Sequence, residues 1–221
     1  MENRSTEDYL KAIYQLELDG RRVSTTALAH RLAVRSASIT GMLQTLARKR
    51  LVHYERYRGV SLTVKGRKAA LTILRRHRLW EMFLVRFLGY SWDRVHEEAE
   101  RLEHVTSGEL ERRLDRVLGS PVSDPHGDPI PSARGKVRRG SSRRLSECRA
   151  GSRVIIRRVS DRRPDILQHV AAIGLSLERA VEILEKRTHD GSMRVRLGRK
   201  SLAVSRELAE SVYVEGQRKK G

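Results

Sequence analysis

From Thr6 to Leu18 the apolar residues Tyr9, Leu10, Ile13, Tyr14 and Leu16 follow a helical stripe, with Ser5 and Thr6 as cap candidates and Asp19-Gly20 as the stop. Ser24 caps a second predicted helix from Thr25 to Ala33, with Leu28, Ala29 and Leu32 facing inward, and Ser36 opens a third through Arg50. Helix, short break, helix is helix-turn-helix spacing. Leu51 to Thr63 alternates enough for two short strands around Arg58-Gly59, a hairpin wing, and Lys65 to Arg76 resumes the helical pattern. Between Leu79 and Leu88 the apolar residues Leu79, Trp80, Met82, Phe83, Leu84, Val85, Phe87 and Leu88 nearly encircle the helix, more than one core needs. A subunit interface or a helix buried within one chain would each account for that. Glu97 to Leu118 is predicted to continue as helix and to stop before Gly119-Ser-Pro121.

The second half changes character. Asp124-Pro-His-Gly-Asp-Pro-Ile-Pro131 is a turn-rich loop. From Ser132 to Arg149 the basic residues Arg134, Lys136, Arg138, Arg139, Arg143, Arg144 and Arg149 face one acid, Glu147, and low apolar content with Gly and Ser predicts a flexible linker. Arg153 to Val159, Ala180 to Lys186, Ser192 to Leu197 and Ser201 to Val204 read as short strands around a helix at Pro164 to Ile173, a small SH3-like β domain. The predicted fold class is therefore mainly α with small β, with at least two domains along 221 residues.

Composition adds a partner. The formal charge of +19, from 46 Lys and Arg against 27 Asp and Glu, calls for a polyanion, and with the winged helix-turn-helix that polyanion is double-stranded DNA. Arg35, Ser36, Ser38, Thr40 and, one turn further, Gln44 would meet base edges or phosphates in the major groove, while Arg56 and Arg58 in the wing would neutralise phosphates. No apolar run approaches the ~18 residues of a spanning helix, and no signal peptide opens the chain, so a soluble, cytoplasmic protein with no membrane partner is expected. The single cysteine, Cys148, excludes an internal disulfide framework and reads as a packing residue or loop thiol.

His77-Arg-Leu-Trp-Glu81 and His96-Glu-Glu-Ala-Glu100-Arg-Leu-Glu103-His104 place histidines and carboxylates at helical i, i+3 and i+4 intervals. On an ideal helix His96, Glu100, Glu103 and His104 fall within an arc of roughly 100°. Such spacing suits a transition-metal site, and a solvated charged face is the competing account. The zinc-protease pattern His-Glu-x-x-His fails because position 100 is Glu, and the di-iron Glu-x-x-His pattern fails because Arg101 stands three before His104. With no phosphate loop and no nucleophile elbow either, the chain is expected not to be an enzyme and to take no small organic substrate. The remaining histidines, His126 among them, are expected to be surface or structural residues.

The order of winged helix-turn-helix, His77-x-x-x-Glu81, His96-Glu-x-Ala-Glu100-x-x-Glu103-His104, Asp-Pro-x-Gly-Asp-Pro-Ile-Pro and a small C-terminal β domain resembles the diphtheria toxin repressor family of metal-dependent transcriptional regulators, most of all its manganese-responsive branch. The resemblance implies a DNA-binding domain at 1–74, a helical metal-binding and dimerisation domain at 75–131, a basic linker at 132–144 and an SH3-like (FeoA-like) domain at 145–221. It implies a primary metal site at Asp8, Glu100, Glu103 and His104 and a neighbouring one at His77, Glu81 and His96, with Asp161, Asp165 or Gln168 as candidates to complete the second. Iron-responsive relatives carry cysteine where this chain has Glu100 and methionine where it has Asp8. Hard oxygen at both positions favours Mn²⁺, although Fe²⁺, Co²⁺, Zn²⁺ or Ni²⁺ should also bind in vitro. Lys11 stands where some manganese regulators have another acid. The expectation is a homodimeric repressor of manganese-uptake genes that binds its operator when metal is bound. An iron-responsive repressor of the same family and a metal-independent winged-helix regulator are the alternatives.

Overall fold

The computed structural model describes residues 4–18, 23–138, 140–161 and 164–216. The predicted stop at Asp19-Gly20 and Arg139 of the basic stretch lie outside the described residues. The chain divides into two compact units, the first comprising Met1–Trp80, Glu100–Arg116 and Pro131–Val137, the second Glu81–Ala99, Val117–Ile130 and Arg138–Gly221.

In the first unit α1 (Arg4–Glu17), α2 (Thr25–Leu32) and α3 (Ser36–Arg48) precede a hairpin of β1 (Val52–Glu55) and β2 (Gly59–Leu62). The Ser24 hydroxyl accepts the Ala27 amide at 3.0 Å, as its capping position predicts. Leu10 and Ile13 of α1, Leu28 of α2, and Ile39, Leu43 and Leu46 of α3 are fully buried in one core, and Val60 of the wing joins them. Ile39, Leu43 and Leu46 recur at i, i+4 and i+7, which turns the opposite face of α3 to solvent. The wing is pinned to the helices by Glu17, whose carboxylate accepts the Leu62 amide at 2.8 Å and Arg67 at 2.5 Å.

A 25-residue α4 (Val64–Leu88) follows directly. Its third residue is Gly66, where a Cβ would come within 1.9 Å of the Leu51 carbonyl oxygen, so the helix start meets the wing at bare-backbone distance. The continuous helix expected from Glu97 to Leu118 is two helices, α5 (Val95–Glu103) and α6 (Gly108–Val117). The cause is local: the Thr106 hydroxyl donates to the Leu102 carbonyl, and the Ser107 hydroxyl accepts the Leu110 amide at 3.1 Å, capping a new start.

The second unit holds a six-stranded antiparallel sheet in the order β3-β8-β4-β5-β6-β7. The strands are β3 (Arg143–Arg144), β4 (Arg153–Val159), β5 (Ala180–Lys186), β6 (Met193–Leu197), β7 (Lys200–Val204) and β8 (Val212–Gly216), with α7 (Pro164–Ala172) and α8 (Arg206–Ser211) between them. Val154, Ile156, Ile183, Val195, Val212 and Val214 are fully buried among α7 and α8 residues, matching the period-2 pattern. The basic stretch is more structured than its composition suggests. Ser132 bonds Lys136 in a turn, Val137 packs on the first unit's core, Arg143 and Arg144 pair with β8, and Leu145 and Cys148 are buried. A few apolar anchors suffice to order a segment whose other residues are charged. Of the two readings of Cys148, packing residue or loop thiol, its burial supports the first, and burial raises its thiol pKa.

Candidate metal centres and nucleic-acid interface

Asp8 sits on the first helix of the winged-helix unit, while Glu103 ends α5 and His104 follows it in the turn before α6. The end of the helix at Glu103 frees His104 from the helical face and turns it onto α1. His104 Nε2 lies 2.9 Å from Asp8 Oδ1 and 3.4 Å from Glu103 Oε1. On its other side His104 Nδ1 faces Glu7 Oε2 at 2.7 Å. A carboxylate only accepts, so Nδ1 carries the proton toward Glu7, and Nε2 is the ring nitrogen left to give a lone pair to a cation held with Asp8 and Glu103. Asp8 Oδ1 and His104 Nε2 are buried with no hydrogen-bond partner, an arrangement a cation resolves. Asp8, Glu103 and His104 thus form a three-donor group in which a metal ion fits.

Glu103 is fully buried and held from both sides. His77 Nδ1 meets its Oε2 at 2.5 Å, and Lys11 Nζ meets its Oε1 at 2.6 Å and Glu100 Oε1 at 3.0 Å. Burial pushes the Glu103 pKa up, but His77 and Lys11 outweigh it and hold the carboxyl below its ordinary range. Burial likewise opposes the charge on Lys11, yet Glu103 and Glu100 leave its pKa raised. Asp8 goes the other way, raised because burial outweighs the attraction of His104 and Lys11. Glu100, expected in the primary site, is paired with Lys11 and lies outside the three-donor group.

In the second unit Glu81 of α4 is fully buried, and its Oε1 lies 3.3 Å from His96 Nδ1 on α5. Its Oε2 lies 3.9 Å from Nδ1 of His126, whose imidazole is also 4.0 Å from Asp124 Oδ1. Glu81, Asp124 and His126 form a second donor group, all three buried. His126 Nε2 is 2.6 Å from the Trp92 carbonyl oxygen, which can only accept, so Nδ1 again offers the lone pair. The Asp124 Oδ1 atom also accepts the His126 and Asp128 amides, each at 2.9 Å, folding the turn that aims the imidazole inward. Gly127 lets this turn touch β4: a Cβ there would lie 2.1 Å from the Arg157 carbonyl oxygen. Sequence reasoning passed over Asp124 and His126 because a loop carries no periodicity; the signal available was an acid and a histidine inside a Pro-Gly-Pro turn. His77 stands one helical turn before Glu81 on α4. Asp161 and Asp165 have no donor atom in these groups, Asp165 instead lining a cleft with His169, Ser205 and Glu207. Gln168 is exposed on α7.

On the opposite face of α3 from the core, Arg35, Ser36, Ser38 and Gln44 are exposed and Thr40 is half-buried. Arg56 and Arg58 project from the wing turn on either side of Tyr57, which is 92% exposed; Arg56 lies over its ring and Arg58 pairs with Glu55. Tyr57 was absent from the sequence-based candidates because an aromatic residue in a strand-like stretch reads as core.

Residues 1–60 match the iron dependent repressor N-terminal DNA binding domain, residues 63–132 the iron dependent repressor metal binding and dimerisation domain, and residues 143–216 the FeoA domain. The iron-dependent repressor IdeR of Mycobacterium bovis is 32% identical over 227 residues, covering 96% of each chain. The chain belongs to the diphtheria toxin repressor family. Members of this family are DNA-binding transcriptional repressors, not enzymes, and the chain carries the family's DNA-binding, metal-binding and dimerisation domains. IdeR of Mycobacterium leprae is 40% identical over 127 residues, 58% of this chain and 55% of that relative. A solved structure of a manganese-dependent transcriptional repressor in complex with manganese superimposes with a TM-score of 0.91 at 39% identity, covering 96% of this chain and 100% of the other. Among the described residues no helix is long and apolar enough to cross a membrane.

Proposed function

We propose that this family member is a homodimeric, cytoplasmic repressor whose affinity for its operator rises when a divalent cation binds, with Mn²⁺ as the physiological ion and manganese-uptake genes as its targets. The carrying observation is the convergence of Asp8, Glu103 and His104, with Asp8 Oδ1 and His104 Nε2 buried and lacking hydrogen-bond partners. These residues would hold the ion through two carboxylates and one imidazole. Bound there, the ion would supply a positive partner to the buried Asp8 Oδ1 and His104 Nε2 atoms. Asp8 belongs to the helix that packs beside α2 and α3, and Glu103 and His104 belong to the family's metal-binding and dimerisation region. Holding them together restricts how the recognition helix is presented. In a dimer, two such helices fit successive major-groove half-sites about 34 Å apart. Metal and DNA affinities are then coupled, and the coupling is reciprocal.

For the second position the proposal keeps His77, Glu81 and His96 and adds Asp124 and His126, on the strength of the buried imidazole aimed at Glu81; Asp161, just beyond β4, is the C-terminal candidate. Manganese is favoured by the donor set, which contains oxygen and nitrogen and no sulfur. The manganese-dependent relative is also more similar along the whole chain, 39% against 32% identical at equal coverage of this chain. Iron response is the second reading, favoured by the iron-dependent relatives.

The test begins with duplexes selected from a random library by the Mn²⁺-loaded protein, whose affinity is then measured by anisotropy at fixed salt with Mn²⁺, with Fe²⁺ under anaerobic conditions, and with chelator. At least tenfold tighter binding with Mn²⁺ than with chelator is expected. Equal affinity in all three would leave the metal-independent regulator standing, and a response to Fe²⁺ but not Mn²⁺ would reassign the ion.

A further inference from the structure

Glu103 Oε1 is shared between two positions. On one side it faces His104 Nε2, at 3.4 Å, in the group with Asp8. On the other it receives the Lys11 ammonium, at 2.6 Å, which also reaches Glu100 Oε1 at 3.0 Å. Lys11 is only 6% exposed, and its carboxylate partners come from residues 89 and 92 positions away. A buried ammonium survives only where acceptors surround it, and its three N–H donors suit a site between carboxylates. A carboxylate whose oxygen bridges an ammonium and an imidazole–carboxylate position has the layout of a two-cation site in which one cation is part of the chain.

We propose that the Lys11 ammonium is a resident cation in this cluster, filling the space between Glu100 and Glu103, so that the Asp8–Glu103–His104 group takes one divalent ion and Glu100 is withheld from it. The proposal rests on the reading of that group as a metal centre. It makes Lys11 a specificity-determining residue: it sets how many ions and how many carboxylates the cluster presents. His77 contributes from the far side, since its Nδ1–H occupies Glu103 Oε2.

The experiment counts Mn²⁺ bound to the full-length protein by native mass spectrometry and records the Mn²⁺ electron paramagnetic resonance spectrum, with circular dichroism confirming that each metal-free variant is folded. Lys11→Glu and Lys11→Gln are each expected to bind one more ion per chain than the unaltered protein and to gain an exchange-coupled signal. Lys11→Arg keeps the cation and should match the unaltered count. Asp8→Ala should bind one ion fewer, and if it does not, the metal-centre reading itself fails. With that loss established, an unchanged count in both Lys11→Glu and Lys11→Gln overturns the resident-cation proposal alone. So does a coupled pair in the unaltered protein that Asp8→Ala abolishes.

Discussion

Glu7 shows how much of a metal-donor cluster depends on a side chain outside it. Its carboxylate accepts the hydrogen bond from His104 Nδ1–H and so fixes which nitrogen of the ring is offered to a cation beside Asp8 and Glu103. Partners of this kind are commonly worth 10- to 100-fold in metal affinity. Glu7→Ala should therefore weaken Mn²⁺ binding at this cluster by at least tenfold in titration calorimetry, while Glu7→Gln, whose amide oxygen still accepts the proton, should stay within about threefold. A fold-neutral Glu7→Ala with unaltered affinity would show that the ring orients itself. The spacing of His104 and Glu103 with their helix neighbours was legible in the sequence, and Asp8 followed from the family resemblance. Glu7 was not legible, because its contact spans 97 positions and a lone acid beside another acid carries no pattern. The pairing of Glu100 with Lys11 was equally hidden: helical periodicity places Glu100 on the right face but says nothing of the cation that meets it.

At the scale of elements, the helices and strands that bury one face declared themselves by period, including the capped α2, the wing and most of the C-terminal sheet. Features made by single polar atoms did not. The break between α5 and α6 depends on two hydroxyls, Thr106 and Ser107, in a stretch that otherwise reads as uninterrupted helix. It matters for function because His104 lies in that break. Two helical glycines give an element-scale prediction with opposite signs. Gly41 in α3 has open space where a Cβ would go, so Gly41→Ala should stabilise by about 0.5–1 kcal/mol. Gly66→Ala would drive a methyl into the Leu51 carbonyl and should destabilise by about 2–4 kcal/mol despite alanine's better helix propensity. Urea unfolding of the two variants reads both; equal shifts would contradict the close approach of α4 to the wing.

For the whole molecule the dominant quantity is its +19 charge. Many arginines of the C-terminal sheet are engaged with acids, as Arg157 is with Glu178 and Glu215 and Arg194 with Glu185. Arg56 and Arg58 stand at the wing tip, where Arg58 pairs with the exposed Glu55. Each should contribute about one released counterion, so Arg56→Ala should lower the slope of log affinity against log salt by about 1 while weakening all duplexes alike. A slope unchanged in anisotropy titrations across a salt series would remove the wing from the phosphate contacts. The chain's two tryptophans have a consequence for how its metal response can be watched. The Trp80 indole is hydrogen-bonded to Thr106, two residues past His104, while Trp92 stacks on His126 with ring centroids 5.6 Å apart. Each donor group thus carries its own fluorophore. Were both donor groups to take metal as proposed, replacing one indole by phenylalanine would leave the emission of the other to follow its neighbouring group, and the order of loading could be timed without any added label.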